Sequence, residues 1–98
     1  MAMIVRSNEE YLDAQEQAAK TPETFYAPSA EELGALGAGS LVKVCTGAER
    51  FWTIIETLEG DTITAKIDNE LTRTDIHGLK CDDLIQFEKR HIYQIYRK

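Results

Sequence analysis

The stretch that decides the fold runs from residue 41 to residue 67. It reads Leu41-Val42-Lys43-Val44-Cys45-Thr46, then Phe51-Trp52-Thr53-Ile54-Ile55-Glu56-Thr57-Leu58, then Thr62-Ile63-Thr64-Ala65-Lys66-Ile67. β-Branched and aromatic residues alternate with polar ones in all three pieces, the period of strands with one face buried. The linkers are short: Thr46-Gly47-Ala48-Glu49, and Leu58-Glu59-Gly60-Asp61 at the join of the second and third pieces. Short glycine-bearing links of this kind are hairpin turns, so the three strands form an antiparallel meander. Val42 with Val44, and Ile63 with Ala65 and Ile67, are expected to face the core. In the second strand Trp52, Ile54 and Leu58 are read as the inner set.

Downstream, a polar loop from Asp68 to Asp75 leads through His77-Gly78-Leu79-Lys80 to a fourth strand near Leu84 to Phe87. A tight turn at Lys89-Arg90 and a fifth strand near Ile92 to Tyr96 complete the sheet. Five short strands with one apolar face are expected to curl. We therefore expect an α+β chain built on an SH3-like five-stranded antiparallel barrel, or a strongly curved sheet covered by the first helix.

Upstream, residues 1–39 read as a helical segment and residues 40–98 as the barrel-like domain. Ser7 and Glu10 have the spacing of a capping box, predicting a helix over 8–20 with a thin stripe of Tyr11, Leu12, Ala14, Ala18 and Ala19, ended by Thr21-Pro22. Ser29 and Glu32 repeat the spacing and predict a short helix over 30–36, closed by Gly37 in the left-handed conformation. Phe25-Tyr26 between them is expected to plug one end of the barrel.

The second half resembles an uncharacterised bacterial family, the domain of unknown function 2314. Phe51-Trp52-Thr53-Ile54, Gly60-Asp61-Thr62-Ile63, Ile67-Asp68-Asn69 and Gly78-Leu79-Lys80-Cys81-Asp82, with Ile85-Gln86-Phe87 and Ile92 behind them, carry the resemblance over about residues 41–95. Cys81 stands where the family pattern has glycine, and Glu70 where proline is common. The resemblance implies the fold; the family has no established activity and supplies no catalytic residues.

Composition narrows the function. The 98 residues carry 11 Lys and Arg against 17 Asp and Glu, a formal charge of -6. The charge is -5 over residues 1–36, -4 over 37–87 and +3 over 88–98. Such a chain has few cations with which to neutralise phosphates, which disfavours generic nucleic-acid binding outside the tail Lys89, Arg90, Arg97 and Lys98. No run is long and apolar enough for a membrane span or a secretory leader, so the expected address is the cytoplasm, with Cys45 and Cys81 as reduced thiols.

His77, Cys81, Cys45 and His91 are the only soft metal ligands; with no C-x-x-C knuckle they predict no metal site, and a zinc domain stays a third reading. Cys81 beside His77 is surrounded by Asp75, Asp82 and Asp83, which oppose thiolate formation, and Asp82-Asp83 reads as a turn. The patterns of phosphate-binding loops, zinc hydrolases and serine hydrolases do not occur. No catalytic residue, metal or cofactor is expected, and the chain is read as a non-enzyme.

The remaining sharp residues are aromatic. Trp52, Tyr93 and Tyr96 either fill a small core or build a binding face, Trp52 by its register belonging to the core. With Asp68, Asn69 and His77 they form the candidate binding set. The sequence thus predicts a small interaction module with an acidic surface and a protein partner, a sheet edge offering a route to a homodimer. The alternative is a nucleic-acid-binding regulator that uses the basic C-terminal strand and tail.

Overall fold

The computed structural model describes residues 3–21 and 27–96. Three short helices, α1 (Ala14–Lys20), α2 (Ala30–Gly34) and α3 (Thr74–His77), accompany five strands: β1 (Leu41–Cys45), β2 (Arg50–Glu59), β3 (Thr62–Ile67), β4 (Leu84–Glu88) and β5 (Gln94–Ile95). The strands form one antiparallel sheet in the order β4-β3-β2-β1-β5, with a 3₁₀ turn at Lys89–His91 between the two edge strands. The edge strands do not pair with each other among the described residues, so the sheet is strongly built but not closed into a barrel.

The hairpins follow the sequence. Gly60 sits at the first central position of the two-residue β2–β3 turn with φ 61°, where a type II′ turn takes glycine. At the β1–β2 turn the Thr46 hydroxyl accepts the N–H groups of Ala48 and Glu49, both at 3.2 Å, and fixes the four-residue loop.

The core lies under one face of the sheet: Val42 and Val44 of β1, Phe51 and Ile55 of β2, Ile63, Ala65 and Ile67 of β3, and Ile85 and Phe87 of β4, with Leu33, Leu79 and Ile92. The assignment of Trp52 to this core is corrected. Phe51, Thr53 and Ile55 point inward, and Trp52 and Ile54 lie half-buried on the opposite face. Threonine is acceptable inside because its hydroxyl donates to the Val42 carbonyl at 3.2 Å. A register shift between Ile55 and Thr57 then exchanges the faces, so that Leu58 packs against the core although Trp52 and Ile54 do not.

The helix expected over 8–20 is also corrected: it begins at Ala14, where the Asp13 carboxylate accepts the Glu16 N–H at 3.0 Å. Ser7 instead accepts from Glu9 N–H. The segment before α1 spends its peptide groups on distant partners. Val5 N–H donates to Leu84 O at 2.7 Å, Asn8 N–H to His77 O at 2.8 Å and Leu12 N–H to Cys45 O at 2.8 Å. It is a strap that crosses from β4 to the end of β1, with the Tyr11 ring against Phe87 and His91. The strap covers the seam that the sheet leaves open.

The capping box of α2 is present, Ser29 Oγ accepting Glu32 N–H at 3.2 Å and Glu32 Oε1 accepting Ser29 N–H at 3.1 Å, but the helix ends at Gly34. The left-handed glycine is Gly39, at φ 92°, and not Gly37. Phe25-Tyr26, Arg97 and Lys98 lie outside the described residues. No described helix is long and apolar enough to cross a membrane.

Candidate functional site

The pleat that buries Phe51 turns Trp52 outward, and three strands bring its neighbours to the same place. Lys43 is directly opposite Trp52 on β1, and the Asp68 N–H donates to Trp52 O at 2.9 Å beyond the end of β3. On the far side of β1 the pairing is Lys43 with Gln94, yet it is the N–H of Tyr93 that donates to Lys43 O, at 3.1 Å. Two residues of the last strand thus oppose one of β1, as in a bulge, and this swings the Tyr93 ring to the side of Lys43 and Arg50.

The result is a row of rings interleaved with cations. Trp52 and Tyr96 meet edge to face with centroids 6.0 Å apart. Lys43 Nζ lies 4.8 Å from the centre of the Trp52 ring and 5.8 Å from that of Tyr93, and the Arg50 guanidinium carbon lies 5.5 Å from the Tyr93 ring. Tyr96 is 54% exposed and Tyr93 only 9%, because Ala14 of α1 packs over Tyr93 with Cys45. Burial pushes the Tyr93 phenol above its usual value, Arg50 partly opposing the shift. Tyr96 is therefore the exposed ring of the row, Trp52 its half-buried neighbour, and Tyr93 a buried ring beside both cations.

Asp68 and Asn69 belong to this face through the backbone. Asn69 Oδ1 accepts the Trp52 N–H at 3.3 Å, and its Nδ2 donates to Glu70 O at 2.6 Å, so the pair holds the position of the tryptophan. His77 does not belong to it. Its side chain is fully buried beside Phe51, with Nε2 2.9 Å from Glu49 Oε1 and Nδ1 accepting the Leu79 N–H at 3.0 Å. The Leu79 bond requires a lone pair on Nδ1, which leaves the proton on Nε2 and makes the imidazole a donor to Glu49.

Glu49 is the residue the sequence did not announce. Its carboxylate accepts N–H bonds from Thr72 and Arg73, each at 2.9 Å, and a hydroxyl bond from Thr72 at 3.2 Å, in addition to His77. Burial alone would raise its pKa, but the bonds from His77, Thr72 and Arg73 outweigh burial and hold the carboxyl at about 2. An acid in the first hairpin thereby ties down the loop before α3. Only a lone glutamate in a turn stood for this in the sequence.

The other constellations do not assemble. Cys45 is buried, and desolvation pushes its thiol up. Cys81 is exposed, its Sγ 3.9 Å from Ile67 O, and His91 Nδ1 accepts the Glu88 N–H at 3.0 Å. Among the described residues no three His, Cys, Asp or Glu side chains are grouped to hold a metal ion. Asp82-Asp83 is a turn, with Asp83 Oδ2 accepting Lys80 N–H at 2.9 Å and Asp82 at φ 72°. Of the basic tail, Arg90 is held at 2.9 Å by Asp13 and 3.1 Å by Glu88, so it is not free for phosphates. No family model, curated protein or solved structure matches this chain.

Proposed function

We propose that this chain is a non-enzymatic interaction module that binds a protein partner on the outer face of its sheet, at Tyr96, Trp52 and Lys43. The observation that carries the reading is the edge-to-face pair of half-buried Trp52 and exposed Tyr96 with a lysine over the indole, an amphipathic anchor of the type on which interface energy concentrates. The cations make the complement an apolar segment bearing acids, not the basic partner that the total charge suggests. Strand order, the 3₁₀ turn between the last two strands and the strap across the seam support an SH3-like reading of the sheet. Kinship of residues 41–95 with the domain of unknown function 2314 is part of the same proposal and adds no activity to it.

A second reading, single-stranded nucleic acid on the same face, draws on the alternation of rings and cations. One experiment separates the two. Trp52 is the only tryptophan, so its emission reports on this face alone. Quenching or a blue shift by an acidic, apolar peptide, abolished in Tyr96→Ala, supports the protein reading. Quenching by oligothymidylate that fades steeply with salt gives the face to nucleic acid, and an unchanged spectrum with both removes it as a binding surface.

A further inference from the structure

A different surface, independent of the aromatic face, lies at the β4 edge of the sheet. The hydrogen bonds Ile67 N–H to Asp83 O and Lys89 N–H to Asp61 O, both 2.9 Å, fix the parity of β4: its odd-numbered residues bond to β3 and its even-numbered ones turn their peptide groups to the outer edge. Along that edge Leu84 O takes Val5 N–H at 2.7 Å, and Glu88 N–H goes to His91 Nδ1 at 3.0 Å. Between them, the N–H and C=O of Gln86 have no partner among the described residues. The strap starts beside β4 at Ile4 and then leaves it, and the space so opened is a groove of about 710 Å³ with Gln86, Arg90 and His91 on one wall and the strap on the other.

We propose that this groove binds an extended, lysine- or arginine-bearing segment of a partner protein, which pairs its backbone with Gln86. Two features of the groove agree on that occupant. The open edge offers one donor and one acceptor in strand geometry, the requirement for adding a strand. The walls carry Glu9, Glu10, Asp13 and Glu16 against Arg6 and Arg90; Arg90 is shared between Asp13 and Glu88 and Glu16 pairs with Lys20 at 2.9 Å, which leaves Glu9 and Glu10 against Arg6, a small negative excess whose complement is basic.

The test uses the full chain and a fluorescein-labelled peptide of alternating lysine and valine, its glutamate counterpart, an N-methylated form of the lysine peptide, and spermine as competitor. The lysine peptide should bind and the glutamate peptide should not. N-Methylation and Gln86→Pro should each weaken binding by at least about tenfold, since each removes an edge hydrogen bond. The proline falls where the N–H points away from β3, so it takes no bond from the ladder. Glu10→Gln/Glu16→Gln, at exposed positions outside the ladder, should weaken binding by about tenfold and flatten its salt dependence. Equal binding of both peptides, indifference to N-methylation, or full displacement by spermine with Gln86→Pro unaffected would overturn the proposal. The emission of Trp52 on the aromatic face should stay unchanged throughout, so the two sites fail or succeed separately.

Discussion

Replacing Glu49 by alanine is expected to remove a large part of this domain's stability, although Glu49 lies in a hairpin turn and not in the core. Its carboxylate is the acceptor for two backbone N–H groups, one hydroxyl and the Nε2–H of a fully buried histidine, at 2.9 to 3.2 Å. Hydrogen bonds to a charged acceptor contribute about 1.5–3 kcal/mol each, and a buried donor left alone costs about 1–3 kcal/mol. The donors share one group and are not additive, so the expected loss is about 3–5 kcal/mol. The same bonds hold the carboxyl at about 2 against its ordinary 4.5, the direction that such a loss requires. For a domain whose whole stability is about 5–15 kcal/mol, this is at least about a fifth. The sign of the pH dependence follows. The folded pKa lies below the unfolded one, so the stabilisation is complete above about pH 4.5 and is lost as the pH falls from there towards 2. Urea unfolding of the wild type, Glu49→Ala and Glu49→Gln between pH 2 and 8 is the assay. The alanine variant should lose roughly 2 M in midpoint at pH 7. The wild type should approach the glutamine variant as the pH falls through that window. A loss under about 1 kcal/mol at pH 7, or a difference unchanged down to pH 2, would refute the reasoning.

Three further outcomes are expected. Gly78→Ala should destabilise by about 1–2 kcal/mol in thermal unfolding, because Gly78 sits at φ 78° and an added Cβ would stand 2.9 Å from Asn8 Nδ2 of the strap. Asp13→Ala should cost about 1 kcal/mol and lower the ellipticity at 222 nm, since it removes the cap of α1 together with the bond to Arg90. Tyr96→Ala should leave stability within about 0.5 kcal/mol, as an exposed residue, while abolishing the response of Trp52 emission to a partner.

The strands were legible because their period is local. Val42, Val44, Ile63, Ala65 and Ile67 alternate with polar residues and face the core as expected. β2 was misread because both of its faces are apolar near the middle: Trp52 and Ile54 compete with Phe51 and Ile55, and the shift at Ile55/Thr57 that reconciles them with Leu58 leaves no mark in the residues themselves. The capping box of Ser7 and Glu10 failed for a related reason. Residues 5 to 12 find partners at Leu84, His77 and Cys45, dozens of positions away, and those bonds outcompete a local helix. Of the candidate site, Trp52, Tyr96, Tyr93, Asp68 and Asn69 converge on one face, whereas His77 went to a buried network with Glu49, whose partner lies 28 residues off in sequence. Pairings set by the assembly of the sheet cannot be read from spacing along the chain.

The central claim, a protein-binding face at Tyr96 and Trp52, is tested most directly by site-specific photo-crosslinking. A benzophenone amino acid is placed at position 96, and in a control at position 59, an exposed site at the β2–β3 turn, in cells that make the protein naturally. The account predicts a discrete protein adduct from position 96, resistant to nuclease and absent from position 59. No adduct at 96, the same adduct from both positions, or an adduct destroyed by nuclease would contradict it.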